Sequence, residues 1–198
     1  MRDKEIVNLR KQIQKHEKID KKVNDYRWIL KISVISFMIS VFFSASSESL
    51  IPNVPIIVGI LILILFIAIG IIFDMVGMSV ASANEKVFHS MNSRKVKGAD
   101  IAVLFKKNAS KVSTFCNDVV GDVSGIVSGT AGVIISSSIS NKFDLPLIFT
   151  TLLITGIISS LTIGGKAIFK SYAINKSDLI LYEFSKIVSK FYHLKKHK

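Results

Sequence analysis

The side chains in this chain that could do chemistry are few, and they sit where charge is costly. Asp118 and Asp122 fall inside Thr114–Ser138, TFCNDVVGDVSGIVSGTAGVIISSS, a stretch long enough to cross a bilayer. Asp74 and Lys166 lie at the ends of two other apolar blocks, and Asn117, Ser79, Ser124 and Ser128 lie at similar depth. Carboxylates beside hydroxyl and amide oxygens are the ligands that hard cations such as Mg2+ prefer. Asp74, Asp122, Ser79 and Ser124 therefore form a candidate cation-binding set. Lys166 opens a second reading, in which an ammonium beside Asp122 or Asp74 forms an ion pair and occupies the place of a cation. Residue types alone leave both readings standing.

The same segment carries Gly121, Gly125 and Gly129, four apart and so on one face of a helix. Small residues let neighbouring helices approach closely in a membrane, and intramembrane acids nearly always face protein or a water-filled cavity. The segment is predicted to lie inside a helix bundle, with greasier segments around it. No nucleophile–base pair, phosphate-binding loop or metalloprotease spacing accompanies these residues, so the chain is not read as an enzyme. His16, His89, His193 and His197 lie among charged residues. The single cysteine, Cys116, has no partner for an intramolecular disulfide and is read as a packing residue.

The elements that must position these groups are written in the composition. The chain is 49% hydrophobic yet carries a net charge of +12, with the apolar residues in blocks and the basic ones between them. That is the pattern of a small all-α polytopic membrane protein rather than a soluble domain, whose apolar positions would be interspersed. Residues 1–28, with nine Lys or Arg and five Asp or Glu, are predicted to form a charged surface helix on the apolar positions Ile6, Leu9, Ile13 and Val23. A transmembrane domain over 29–176 follows, with spans at about 29–45, 54–76, 114–138 and 145–166. Between the second and third, 84–112 carries seven basic residues and is predicted to be a helical hairpin turned at Gly98. Residues 177–198 read as a basic amphipathic helix along the membrane surface, with Ser177 as N-cap and Asp178 in its first turn.

The basic residues also set an orientation. The N-terminal tail, the 84–112 loop and the C-terminal tail hold nearly all of them, and the two other loops hold only Lys142. The bias of Lys and Arg toward the cytoplasm puts both termini there, against anionic headgroups. Nucleic acid is not an expected partner, since no basic and aromatic interleaving accompanies the charge.

From Phe73 to about Asp178 the chain resembles the membrane domain of the cyclin M/CorB family of magnesium transporters. In that family a helix ending F-S-x-x-E-x-A-L-x-S leads into a basic hairpin, then a helix carrying G-N-N, then a helix ending G-E-x-x-P-K-S-x-A. Here Phe73–Ser82 reads FDMVGMSVAS, Lys97-Gly98-Ala99 stands at the hairpin turn, and Val120-Gly121-Asp122 stands at the second motif. Gly165-Lys166-Ala167-Ile168-Phe169-Lys170-Ser171-Tyr172-Ala173 matches the third in its Gly and in its Lys-Ser-x-Ala ending. The resemblance implies handling of Mg2+ or another divalent cation, and a homodimer formed through the membrane domain. The departures are specific: Gly77 and Lys166 stand at the family's two Glu positions, and Asp74 and Asp122 are acids the motifs lack. Two expectations follow. Either a cation is still held by Asp74 and Asp122, or Lys166 pairs with Asp122 in a transport-inactive relative that serves as a membrane partner or regulator. A small immunity-type membrane protein is a third class compatible with the size, charge and span number.

Overall fold

The computed structural model describes residues 26–196, with side chains to residue 191. The surface helix expected over 1–28 lies almost wholly outside the described residues. Two compact units are distinguished, one ending at Phe37 and one beginning at Met38. In the first, the described residues 26–37 are helical throughout.

Every regular element among the described residues is a helix. In chain order these are α1 (Tyr26–Leu50), α2 (Ile56–Ser82), α3 (Glu85–Ser93), α4 (Ala99–Lys107), α5 (Ala109–Thr114), α6 (Val123–Phe143), α7 (Leu147–Asn175) and α8 (Ser177–Lys196). A short 3-10 turn, Ile51–Asn53, joins α1 to α2, and a wide π turn, Phe115–Asp122, joins α5 to α6 without a break in the rod. Four helical stretches are long and apolar enough to cross a membrane: Tyr26–Asn53, Ile56–Ser82, Ala109–Phe143 and Leu147–Asn175. Helix is the form such blocks take, because lipid offers no partner for an open backbone amide or carbonyl. The hydroxyls on these helices follow the same rule. Ser128 donates to the Ser124 carbonyl at 2.7 Å, and Thr155 to that of Thr151 at 2.7 Å.

Each span overruns its apolar block. Ile56–Phe73 is about 27 Å of uncharged helix, close to the roughly 30 Å of a hydrocarbon core. Yet α2 continues past Asp74 to Ser82, α7 continues past Lys166 to Asn175, and the third span begins at Ala109 rather than at 114. The sequence expectation of 54–76, 114–138 and 145–166 located the apolar slab, not the helices. A helix need not stop where the hydrocarbon does, provided that something covers its extension.

Two separate cores result. Within the slab, Leu63 and Ile67 of α2, Ala131 and Ile135 of α6, Ile158 of α7 and Ile51 of the 3-10 turn are buried together. Ser136 and Thr151 share a hydrogen bond of 2.9 Å across α6 and α7. Gly59 lets Ile51 and Ile135 approach, and Gly132 faces the end of Ile158. The outer faces remain apolar and exposed, as at Ile57, Leu61 and Leu65 of α2 and Ile148, Leu152 and Leu161 of α7. At the opposite, basic end, the helix extensions meet the hairpin and α8. There Val76, Val80, Phe88, Ala102, Val103, Cys116, Ala173, Ile180 and Leu181 form a second core.

The basic end is held by polar contacts as well. Gly98, at φ +85°, turns α3 into α4, and α8 crosses so close that a methyl at Gly98 would meet the Lys186 backbone at 2.9 Å. Asp178 in the first turn of α8 accepts the Asn84 amide at 2.7 Å, at the start of α3. Lys106 of α4 donates to the Val80 and Ala81 carbonyls at 2.9 and 3.2 Å, groups left unpaired at the end of α2. Burial pulls the Lys106 ammonium below the ordinary lysine range, against the opposing charges of Glu85 and Asp178. The hairpin turned at Gly98 is as the sequence predicts. α8, expected along a membrane surface, buries Ile180, Leu181, Ser185 and Ser189 against protein and leaves Leu179, Ile187 and Phe191 exposed.

Candidate functional site

The boundary between the two cores is where the candidate residues gather. The π turn over Phe115–Asp122 opens the helix by an extra residue per turn, a distortion that recurs at functional sites. It brings the third span against α2 at two glycines. The face of Gly70 meets the Gly121 carbonyl and Ser124, and the face of Gly77 meets Asn117 and Cys116. A side chain at Gly77 would collide with the Asn117 amide, whose Oδ1 is buried without a hydrogen-bond partner. Cys116 is a buried free thiol in the basic-end core, as its composition suggests.

Just beyond Gly165, where α7 meets Ile71 of α2, Lys166 extends over the Gly121 face. Its Nζ stands 3.4 Å from Asp122 Oδ1. The lysine side chain is 25% exposed and the aspartate 67%, so the stem is packed while the carboxylate faces outward. Asp118, one turn earlier, is also exposed and lies near Asp122, Asp74 and Lys166. Asp74 is half-buried on α2. Three carboxylates and one ammonium thus lie near one another where the apolar blocks of α2, α6 and α7 end.

This corrects one expectation. Asp118 and Asp122 do not point into the bundle; they lie on its outer side at the edge of the slab. The glycine face also divides. Gly121 is buried against α2, whereas Gly125 and Gly129 have no neighbouring atom within 4 Å of where a side chain would start. Gly121 stands at the end of the π turn, where α2 approaches, and Gly125 and Gly129 lie beyond it on α6. Gly70 and Gly77, seven apart on α2, are the close-approach glycines that the sequence reading passed over. Their spacing on one face of a helix was the available signal.

The proposed cation ligands do not all converge. Ser79 is fully buried in the basic-end core, where its hydroxyl donates to the Met75 carbonyl at 2.8 Å, with the Ala173 carbonyl at 3.4 Å. Ser124 is buried over Gly70, and its carbonyl takes the Ser128 hydroxyl. Lys170 lies one turn beyond Lys166, exposed. Among the described residues, no group of three or more His, Cys, Asp or Glu side chains is arranged to hold a metal ion. What the arrangement offers is a paired acid and base at the slab boundary, with two further acids beside it. Comparison with protein families, with curated proteins and with solved structures gave no match to this chain.

Proposed function

We propose that this protein is a non-transporting membrane protein on the plan of the cyclin M/CorB membrane domain, acting through a membrane partner rather than by moving an ion. The observation that carries this reading is the Lys166–Asp122 contact of 3.4 Å. Asp122 is the acid that a divalent cation would need, and its oxygen already faces a fixed positive charge. Two unit charges 4 Å apart repel by about 4 kcal/mol at an effective dielectric of 20, and a divalent ion about doubles that. The Ser79 hydroxyl, which donates to the Met75 carbonyl, and the Ser124 carbonyl, which accepts the Ser128 hydroxyl, are already engaged elsewhere. The orientation belongs to the same proposal: the hairpin, α8 and both termini lie in the cytoplasm, following the basic residues.

A charge-swap cycle tests the pairing in the intact protein. Lys166→Glu and Asp122→Lys each lower the unfolding midpoint, and the double variant recovers most of the loss, because the pair is re-formed in reverse. A double variant no more stable than its worse parent contradicts the pairing. In that event Lys166 turns to the headgroups, and Asp74 and Asp122 are free to take a cation.

A further inference from the structure

The tip of the hairpin, residues 93–98, carries Arg94, Lys95 and Lys97, all exposed, and no part of the proposed function uses it. Elsewhere at the basic end, Lys106 is engaged by carbonyls and Lys186 by Glu183 at 3.6 Å. The three tip side chains have no ion pair, hydrogen bond or ring contact among the described residues. They are cations without a partner.

The backbone that carries them is a closed turn. Lys95 N donates to the Asn92 carbonyl at 2.9 Å and Val96 N to that of Met91 at 3.1 Å, the pattern of a helix that ends on a left-handed residue. The left-handed residue is Lys95 itself, at φ +54°. Glycine usually takes that place, because a side chain there crowds the following carbonyl. The chain follows the usual choices at its other two positive-φ positions. Gly98 stands at φ +85°, and Asp144, of a type that tolerates the conformation, stands at φ +53° after α6. Lysine has no such tolerance. Nor does the end of α3 need it, since Arg94 at the C-cap already supplies the cation that a helix C-terminus favours. The turn thus accepts strain to hold a second cation, and its close approach to α8 at Gly98 seats it beside the fully buried Ser185.

We propose that the hairpin tip is a docking site for an acidic segment of a partner protein, whose carboxylates meet Arg94, Lys95 and Lys97. Charge complementarity sets the class of partner. A fluid headgroup layer makes no demand on which residue carries the charge, and exposed Asn92 or Ser93 could carry it without strain. A strained lysine suits a partner of fixed shape. No aromatic side chain stands among residues 92–98 to stack a base, which sets nucleic acid aside. The site goes beyond the proposed function and rests on this turn alone, so a Lys166→Glu variant keeps it.

The test is fluorescence anisotropy of a labelled peptide of alternating Glu and Ser, with its Gln counterpart as control, added to the full chain in phosphatidylcholine nanodiscs. The Glu peptide is expected to bind, and Arg94→Gln/Lys95→Gly/Lys97→Gln to weaken it about tenfold, the effect of three exposed charge pairs. Lys107→Gln/Lys170→Gln/Lys176→Gln removes equal charge from exposed positions elsewhere and is expected to change binding by less than about twofold. No binding, or equal losses in the two variants, overturns the proposal, the second because net charge alone is then at work. Lys95→Gly by itself is expected to raise the unfolding midpoint while it weakens the peptide, because strain is relieved as the charge is lost. A midpoint that falls makes Lys95 a structural cap and overturns the proposal too. So does quenching of a fluorophore on Ser93→Cys by headgroup-labelled lipid, which would give the tip to the bilayer; the native Cys116 is buried.

Discussion

The slab core and the basic-end core are built from the same helices but by different physics. In the slab, α2, α6 and α7 touch through small residues, a Ser–Thr hydrogen bond and a few aliphatic side chains, while their outer faces stay apolar. Lipid is as apolar as leucine, so burial there gains packing but little transfer free energy. At the basic end the same helices leave the hydrocarbon, and water returns as a driving force. That region buries a phenylalanine and a leucine completely, caps its helix ends and recruits α8. The extensions of α2, α5 and α7 are thus helical because a soluble-type core covers them, and not because the membrane demands it.

The contrast is sharpest for large-to-small changes in the two cores. Phe88→Ala at the basic end is expected to cost about 3–5 kcal/mol, as in a water-soluble core. Ile135→Ala in the slab is expected to cost on the order of 1–2 kcal/mol, since the cavity remains but the transfer contribution falls away. Reversible unfolding in mixed micelles measures both. Equal costs would mean that the two cores are one.

At the boundary, Gly77→Ala pushes a methyl into the Asn117 amide and toward Cys116. A loss of about 1–2 kcal/mol is expected from such overpacking. Adding Asn117→Ala should recover part of it, since Oδ1 has no hydrogen bond to lose. No recovery would place the strain in the backbone approach of the π turn instead.

The smallest expected effect is a pH dependence confined to the basic end. Burial depresses the Lys106 ammonium in the folded protein below its ordinary value of 10.5. Between those two values the unfolded chain binds more protons, so this lysine makes stability rise with pH across that window. Lys106→Met should flatten the rise in the unfolding midpoint and lose the contacts to the Val80 and Ala81 carbonyls. A rise that persists in the variant assigns it to another group.

Much of this division can be read from composition, and its limits are physical. Blocks of apolar residues mark hydrocarbon, so the four spans and the Gly98 turn were legible. Where α2 and α7 end was not, because Val80 and Ala173 share a buried core with Phe88 and Leu181, residues far apart in the chain. The position of Asp122 was legible only in part. A pairing with Lys166 was one of two readings left open, a π turn carries no period that a sequence displays, and the outward face of the carboxylate is seen only in the structure.

The measurement that tests the central claim is thermal unfolding of the detergent-purified protein across a magnesium titration, with calcium and a matched monovalent salt as controls. A ligand bound only by the folded state raises the midpoint with its concentration. With Lys166 held on Asp122, the midpoint is expected to follow ionic strength alone, indifferent to which divalent ion is present. A saturable, magnesium-selective rise that disappears in Asp122→Ala would contradict the account and restore Asp122 to a cation site.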